Sequence, residues 1–181
     1  MRRSAELLRT DVIDLMQIHN LLDWRTHLAT LRQMKEQGRI RYIGITHYAT
    51  GALSELARIL QSEPGIDFVQ LGYSLATRAA ETALFPTAVE RKVAVIANQP
   101  FEQGSLFRRV SGRALPEWAA EFDCASWAQF FLKYIIADPA VTCVIPATDK
   151  PDHMADDVKA GFGRLPDPKQ RDQMRRLWDS V

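Results

Sequence analysis

Five short runs of β-branched and aliphatic residues, each followed by a longer stretch of helical periodicity, restrict this chain more than any other feature. The runs are Val12–His19, Ile40–Thr46, Phe68–Tyr73, Val93–Ala97 and Thr142–Pro146. Each is short and apolar through its middle, as buried strands of a parallel sheet are. Their starts recur roughly every 25–30 residues, with one longer interval after the fourth, which is the length of a β–α unit. Strict alternation of strand and helix predicts parallel strands joined by helical crossovers, because a parallel neighbour is reached only through a long connection.

The helical stretches carry their own start and stop signals. Leu28, Leu31 and Met34 share one face of a helix that Gly38 ends as a C-terminal cap. Leu53, Leu56, Ile59 and Leu60 mark a second helix. A third is predicted over Glu81–Arg91 through Leu84, Phe85, Ala88 and Val89, with Pro86 in its first turn, where a missing N–H is harmless. A fourth starts near Ser126, whose hydroxyl and Gln129 have capping-box spacing, and continues through Ala128, Phe131, Leu132, Ile135 and Ile136. Pro151 suits the first position of a fifth. A final short helix after Pro166 and Pro168 is expected to end near Trp178.

Two architectures satisfy this order: a doubly wound open sheet, and part of a closed (β/α)8 barrel. The residues that follow the strands favour the barrel. Each apolar run ends in polar groups: His19-Asn20, Thr46-His47-Tyr48, Gln70 to Tyr73-Ser74, Asn98-Gln99 and Thr148-Asp149. Barrel enzymes build their sites from the ends of several strands on one face. Open sheets concentrate the site at one switch point, often with a glycine-rich loop after the first strand. No G-x-G-x-x-G and no G-x-x-x-x-G-K-[ST] occurs in the sequence. Five strands are fewer than the eight of a complete barrel of roughly 250 residues. The fold class expected is therefore α/β: a partial (β/α)8 barrel of about five parallel β–α units, in a single domain over residues 1–181.

Composition narrows the partners. The 181 residues are 46% hydrophobic, enough for a sizeable core, and the formal net charge of +1 points to neither nucleic acid nor an anionic membrane. Arg108, Arg109 and Arg113 are read as a solvated loop. Cys124 and Cys143 lack metal spacing and sit among apolar residues, so both are expected as reduced, small hydrophobes, and no metal is expected. Met1-Arg2-Arg3 is basic, but Glu6 and Arg9 interrupt any apolar run behind it. Neither a secretory leader nor a membrane span is expected, and a cytoplasmic location follows.

In series the strand segments resemble the aldo/keto reductase family. Arg9–His19 is similar to that family's fourth barrel strand, Gln37–Ile45 to the approach to its fifth, and Phe68–Ser74 to its sixth. Val95–Phe101 is similar to its seventh, and Val141–Pro151 to its eighth and the following helix. The resemblance implies NADP(H) as cofactor, with NAD(H) as the alternative, and interconversion of a small-molecule carbonyl with an alcohol. The family's Tyr acid, the Lys that activates it and the Asp paired with that Lys come from the first three units and have no match here. The resemblance therefore implies that the chain is the C-terminal portion of such a barrel, weakly active or inactive alone. A non-catalytic nucleotide-binding module, or a split-barrel subunit that self-associates through open edges, is the alternative.

Residue by residue, the resemblance implies that His19 orients the substrate oxygen; a strand-end His bonded to backbone is the plain reading. Gln70 matches a Gln that holds the nicotinamide carboxamide, and Thr46 and His47 stand where relatives have Ser-Asn beside it. Asn98 replaces a Tyr that stacks on the nicotinamide, and Gln99, Pro100 and Phe101 follow along the pyrophosphate. Ala147, Thr148 and His153 occupy places where NADPH-selective relatives carry a Lys-Ser pair and an Arg, and Lys150 is a nearby cation. Asp156 takes a carboxylate role toward adenine, and Asp157 stands in place of an Asn. His27 and His153 are expected on solvent-facing helix surfaces. The four Trp residues are expected to pack, and Tyr48 and Tyr73 are set aside as substitute acids.

Overall fold

The computed structural model describes residues 2–181, so Met1 of the basic amino-terminal triplet lies outside the described residues. The five strands form one sheet in sequence order, β1-β2-β3-β4-β5. They are β1 Ile13–His19, β2 Ile40–His47, β3 Phe68–Gly72, β4 Ala94–Asn98 and β5 Val141–Val144. Doubly wound sheets reverse their order at a switch point. An order that never reverses is that of a singly wound barrel segment, which selects the second of the two architectures.

The chain divides into two compact units, one running to Leu71 and joined by Thr82–Val95, the other made of Gly72–Glu81 and Ile96–Val181. In the first unit, β1 and β2 pair in parallel with Ile13 opposite Ile40, and β2 continues onto β3 with Gly44 opposite Phe68. Helices α1 (Arg2–Leu8), α2 (Trp24–Glu36) and α3 (Leu53–Ser62) accompany these strands. The α2 helix buries Trp24, Leu28 and Leu31 and is followed by Gly38 at φ +70°, a left-handed position that glycine takes without strain. Leu56, Ile59 and Leu60 of α3 are fully buried with Ile43, Ile45 and Val69 of the strands. Asp67 fixes the start of β3: its Oδ2 accepts from the Ile43 N–H at 2.8 Å and from Lys35 Nζ at 2.6 Å.

The helix expected over Glu81–Arg91 is instead two, α4 (Ala80–Ala83) and α5 (Phe85–Glu90), with Pro86 in the first turn of α5. Leu84, between them, is buried and has φ −132°, outside the helical range. Pro86 has no N–H to give to a carbonyl four residues earlier and its ring crowds that carbonyl, so a helix running on from α4 is interrupted and restarts with the proline in its first turn. The α1 helix was also outside the sequence reading.

In the second unit, α6 (Ser105–Arg109), α7 (Trp127–Ile136), α8 (Pro151–Lys159) and α9 (Pro168–Ser180) follow. The α7 helix is buried nearly all round, with Phe130, Phe131, Leu132, Tyr134 and Ile135 in the core. Its N-cap is as the spacing predicts, since Ser126 Oγ accepts from the Gln129 N–H at 3.1 Å. The reciprocal half of the box is displaced by one residue: Gln129 Oε1 accepts from the Ala125 N–H. A complete capping box stands instead at Asp167 and Gln170 of α9, a helix of 13 residues that outruns the short one expected.

The basic stretch is only partly a loop: Arg113 lies in exposed irregular chain as expected, but the two arginines before it do not. Arg108 and Arg109 form the last turn of α6, where cations favour the helix dipole. Arg109 lies 4.3 Å over the Trp178 ring and donates to the Trp178 and Val181 carbonyls. Cys124 is buried as expected, but Cys143 is exposed on β5 and not embedded in apolar surroundings. Both thiols are free. Among the described residues no helix is long and apolar enough to cross a membrane.

Candidate functional site

In the first unit, parallel register aligns three of the expected residues. His19 lies opposite Thr46, and Thr46 lies opposite Gln70, so the three occupy one row, at the C-terminal ends of β1 and β2 and in the middle of β3. His19 is exposed, Thr46 buried and Gln70 half-buried. Asn20 and Leu21, immediately after His19, both have left-handed backbones, with φ 53° and 56°. Two such residues in succession are rare outside glycine, and each costs on the order of 1 kcal/mol or more. The strain bends the chain sharply away just where His19 ends its strand.

Gln70 is held from the side. Gln17 Nε2 donates to Gln70 Oε1 at 2.8 Å, which leaves the Gln70 NH2 as its outward donor. Gly44 makes the approach possible, because a Cβ there would stand 2.9 Å from Gln17 Cγ and 3.2 Å from the Phe68 carbonyl. His47 Nδ1 accepts from the Ala49 N–H at 3.0 Å, so the proton of the neutral ring sits on Nε2. The ring stacks on exposed Tyr48.

The second unit holds a cavity of about 1090 Å³. Asn98, Gln99, Pro100 and Phe101 from the end of β4, and Thr148, Lys150 and Asp156 from the β5–α8 connection and α8, all line it. These are all the residues that the sequence assigns to this half of the site. The cavity also takes in Phe107, from the stretch after β4 that in the family can fold over the cofactor, together with Gln103 and Gly104, which the sequence did not single out, and Ser126, Trp127 and Ala128 at the start of α7, which it placed only in structural roles. Trp127, expected only to pack, does both: it stacks on Phe131 and faces the cavity. A tryptophan directly after an N-cap serine, on a helix already saturated with apolar residues, was the available signal.

The loop after β4 is strained and pinned. Gln99, Glu102 and Gln103 have φ of 53°, 45° and 55°, all left-handed. The Glu102 carboxylate accepts from Ser74 Oγ at 2.6 Å and from Thr77 Oγ1 at 2.5 Å, which holds this backbone in place. Asn98 Oδ1 is buried without a hydrogen-bond partner.

Asp156 and Asp157, adjacent on α8, have opposite surroundings. Asp156 Oδ2 accepts from Ser126 Oγ at 2.5 Å and Oδ1 from Gln129 Nε2 at 2.6 Å, which ties α8 to α7. Asp157 is buried, and no hydrogen bond reaches its carboxyl among the described residues. Burial pushes the Asp157 carboxyl above the ordinary aspartate value, the negative Asp156 adds to this, and His153 opposes it. His153 is exposed on α8 and His27 on α2, as expected.

Elsewhere in the unit an ionic cluster satisfies its central carboxylate with several donors, although Arg171 Nε is buried without a partner among the described residues. Glu81 Oε1 accepts from the hydroxyls of Tyr73 and Tyr134, each at 2.7 Å, and Oε2 accepts from Arg175 at 2.8 Å. Arg171 donates to Tyr73 Oη and to Asp138. Burial pushes Glu81 upward, but the two hydroxyls and the two arginines outweigh it and hold the carboxyl below the ordinary glutamate value. The Tyr73 hydroxyl is driven far above the ordinary phenol range, chiefly by burial and the neighbouring Tyr134. A phenol so placed is a structural donor and not an acid near neutral pH.

Comparison with known proteins gives one answer. The model of the aldo/keto reductase family matches residues 1–179. The uncharacterized oxidoreductase YqkF of Bacillus subtilis is 25% identical over 90% of this chain and 59% of its own length. The NADH-specific methylglyoxal reductase of Escherichia coli is 26% identical over 62% of this chain and 35% of its own length. The solved aldo/keto reductase of Klebsiella pneumoniae in complex with NADP and acetate is 21% identical, with a TM-score of 0.78 over 98% of this chain and 62% of that one. The chain thus spans less than two thirds of the length of each of these three proteins.

Proposed function

The chain belongs to the aldo/keto reductase family, and from that membership we propose that it is the cofactor-side portion of a nicotinamide-dependent carbonyl reductase, folded as a single domain. The single observation that carries this reading is the cavity at the ends of β4 and β5. Its volume of about 1090 Å³ is of the size that holds a large organic ligand, and apolar and polar groups share its wall.

The residues fit a nicotinamide dinucleotide over most of its length. Pro100, Phe101, Phe107 and Trp127 offer flat or apolar surface, while Gln99, Thr148 and Lys150 offer donors. Taken by itself, the row in the first unit offers the Gln70 amide, oriented by Gln17, the buried Thr46 hydroxyl and His47 as groups suited to a carboxamide. When bound, the reduced nicotinamide supplies hydride to a carbonyl carbon. His19, exposed at its strand end, is assigned to hydrogen-bond the carbonyl oxygen through a ring N–H and so orient it.

The family's Tyr acid, with its Lys and Asp, is matched by no residue here. Tyr48 is stacked on His47 and Tyr73 is committed to Glu81, so neither replaces it. Loss of a positioned proton donor costs about 10²–10⁴-fold in rate. The 181 residues alone are therefore expected to bind nucleotide but to turn over little. Two free thiols suit a reducing compartment, and a cytoplasmic location is part of this reading.

Titration of the chain with NADPH and NADH, followed by the fluorescence of the bound nicotinamide, tests it. Saturable enhancement is expected. No change up to millimolar nucleotide contradicts the reading.

A second reading, the split-barrel subunit, is favoured by β1 and β5, which end the strand order, and by exposed Cys143 and Ile145 at the β5 edge. Sedimentation velocity decides it: concentration-dependent dimers support it, and a monomer at high concentration removes it.

A further inference from the structure

Gln99, Pro100 and Phe101 line the cavity as one short segment after β4, and the fold grips that segment at both ends. At its start the Asn98 carbonyl accepts from the Tyr73 N–H at 3.2 Å. At its end the Glu102 carboxylate accepts from the hydroxyls of Ser74 and Thr77. Both grips therefore come from one stretch of chain, 73–77, and that stretch is itself fixed. Ser74 Oγ accepts from the Ala76 and Thr77 N–H groups at 3.1 and 2.9 Å, and the Ser74 N–H donates to the Thr77 carbonyl at 3.2 Å. Ser74 is fully buried.

The gripped segment has a backbone that needs holding. Gln99, Glu102, Gln103 and Gly104 all have positive φ, and only the glycine takes such a conformation without strain. Strained backbone persists where the surroundings over-determine it. Here the two hydroxyls converge on the same oxygen, Glu102 Oε1, so both hydrogen bonds are charge-assisted. Glu102 is not among the described residues that line the cavity, although its neighbours on both sides are.

We propose that Glu102 is a positioning residue: clasped by Ser74 and Thr77, it holds residues 99–104 in the shape that admits a dinucleotide, without touching the ligand. This role rests on the nucleotide reading above. A released segment samples several shapes, and a ligand that fits one of them sees its affinity cut by the fraction that is competent. Association slows by that fraction, while dissociation breaks the same contacts as before and keeps its rate. Loss of a direct contact acts mainly on dissociation instead.

Stopped-flow fluorescence of NADH and NADPH on the 181-residue chain tests the proposal. Glu102→Ala should weaken both nucleotides by about tenfold, with the whole loss in the association rate. Glu102→Gln keeps a neutral acceptor and should lose about threefold. Thr77→Val should lose a similar amount alone and nothing further in the Glu102→Ala background, because the two side chains act as one unit. Urea unfolding of each variant shows that the folded chain is the species being read. If Glu102→Ala binds as the native chain does, or loses affinity through faster dissociation, the positioning role is overturned while the nucleotide reading stands. If the native chain binds neither dinucleotide, that reading fails and this inference with it. Should Glu102→Ala not fold, Glu102→Gln and Thr77→Val decide by the same two rates.

Discussion

Glu81 and Asp157 are both acids removed from water within the second unit, and they have been treated in opposite ways. Glu81 accepts from Tyr73, Tyr134 and Arg175, and Arg171 stands at 3.4 Å. Asp157 lines the cavity and has no hydrogen bond to its carboxyl among the described residues, with Asp156 and His153 as its charged neighbours. The consequence shows in their protonation: Glu81 is held below the ordinary carboxyl value and Asp157 above it. A buried charge that the fold satisfies serves the fold, and α9 is docked by this one. A buried charge that the fold leaves without donors is a cost to it.

The largest expected effect breaks the satisfied member. Glu81→Gln should destabilise the chain by about 3 kcal/mol, the low end for breaking a buried pair because Glu81 keeps some exposure. Urea unfolding measures it. The pH dependence has a definite sign: since the folded carboxyl is depressed, its stabilisation is full above about 4.5 and is lost as pH falls through the folded value. The variant should lack that acid-side loss while keeping nucleotide affinity wherever it is folded.

Ser126→Ala sharpens the comparison by turning Asp156 into a second under-partnered acid. It removes the α7 cap and the 2.5 Å bond to Asp156 together, for an expected loss of about 1–2 kcal/mol in thermal or urea unfolding.

The smallest effect has the reverse sign. Asp157→Asn should stabilise the ligand-free chain at neutral pH by on the order of 1 kcal/mol, because an unpartnered buried charge is removed. Asp157 has a raised folded pKa, so it lowers stability progressively as pH rises from about 3.8 through the folded value. The gain of the Asn variant should therefore fade on acidification, the opposite of Glu81→Gln.

Periodicity made the strands legible. All five were placed within two residues at either end, because apolar runs bounded by turn residues depend on local sequence. The row of His19, Thr46 and Gln70 was legible for the same reason: in a parallel sheet, residues of neighbouring strands align once the strands are known. What escaped depends on residues far apart. Arg171 reaches Tyr73 across 98 positions, and nothing in either segment announces the other. The split between α4 and α5 hangs on the backbone of Leu84 alone. The exposed face of Cys143 and the clasp of Arg109 on Trp178 follow from packing that composition does not encode. The contrast between Asp156 and Asp157 is of this kind too, since two adjacent aspartates on one helix read alike until Ser126 and Gln129 are seen to engage only the first.

The central claim is that the cavity of the second unit is a nucleotide site, and amide hydrogen exchange with and without saturating NADH tests it most directly. Protection should appear in Asn98–Phe107 and in 148–157, while the amides around Glu81 and along α9 stay as they were. Protection spread evenly over the chain, or absent from those two segments at saturation, would contradict the account.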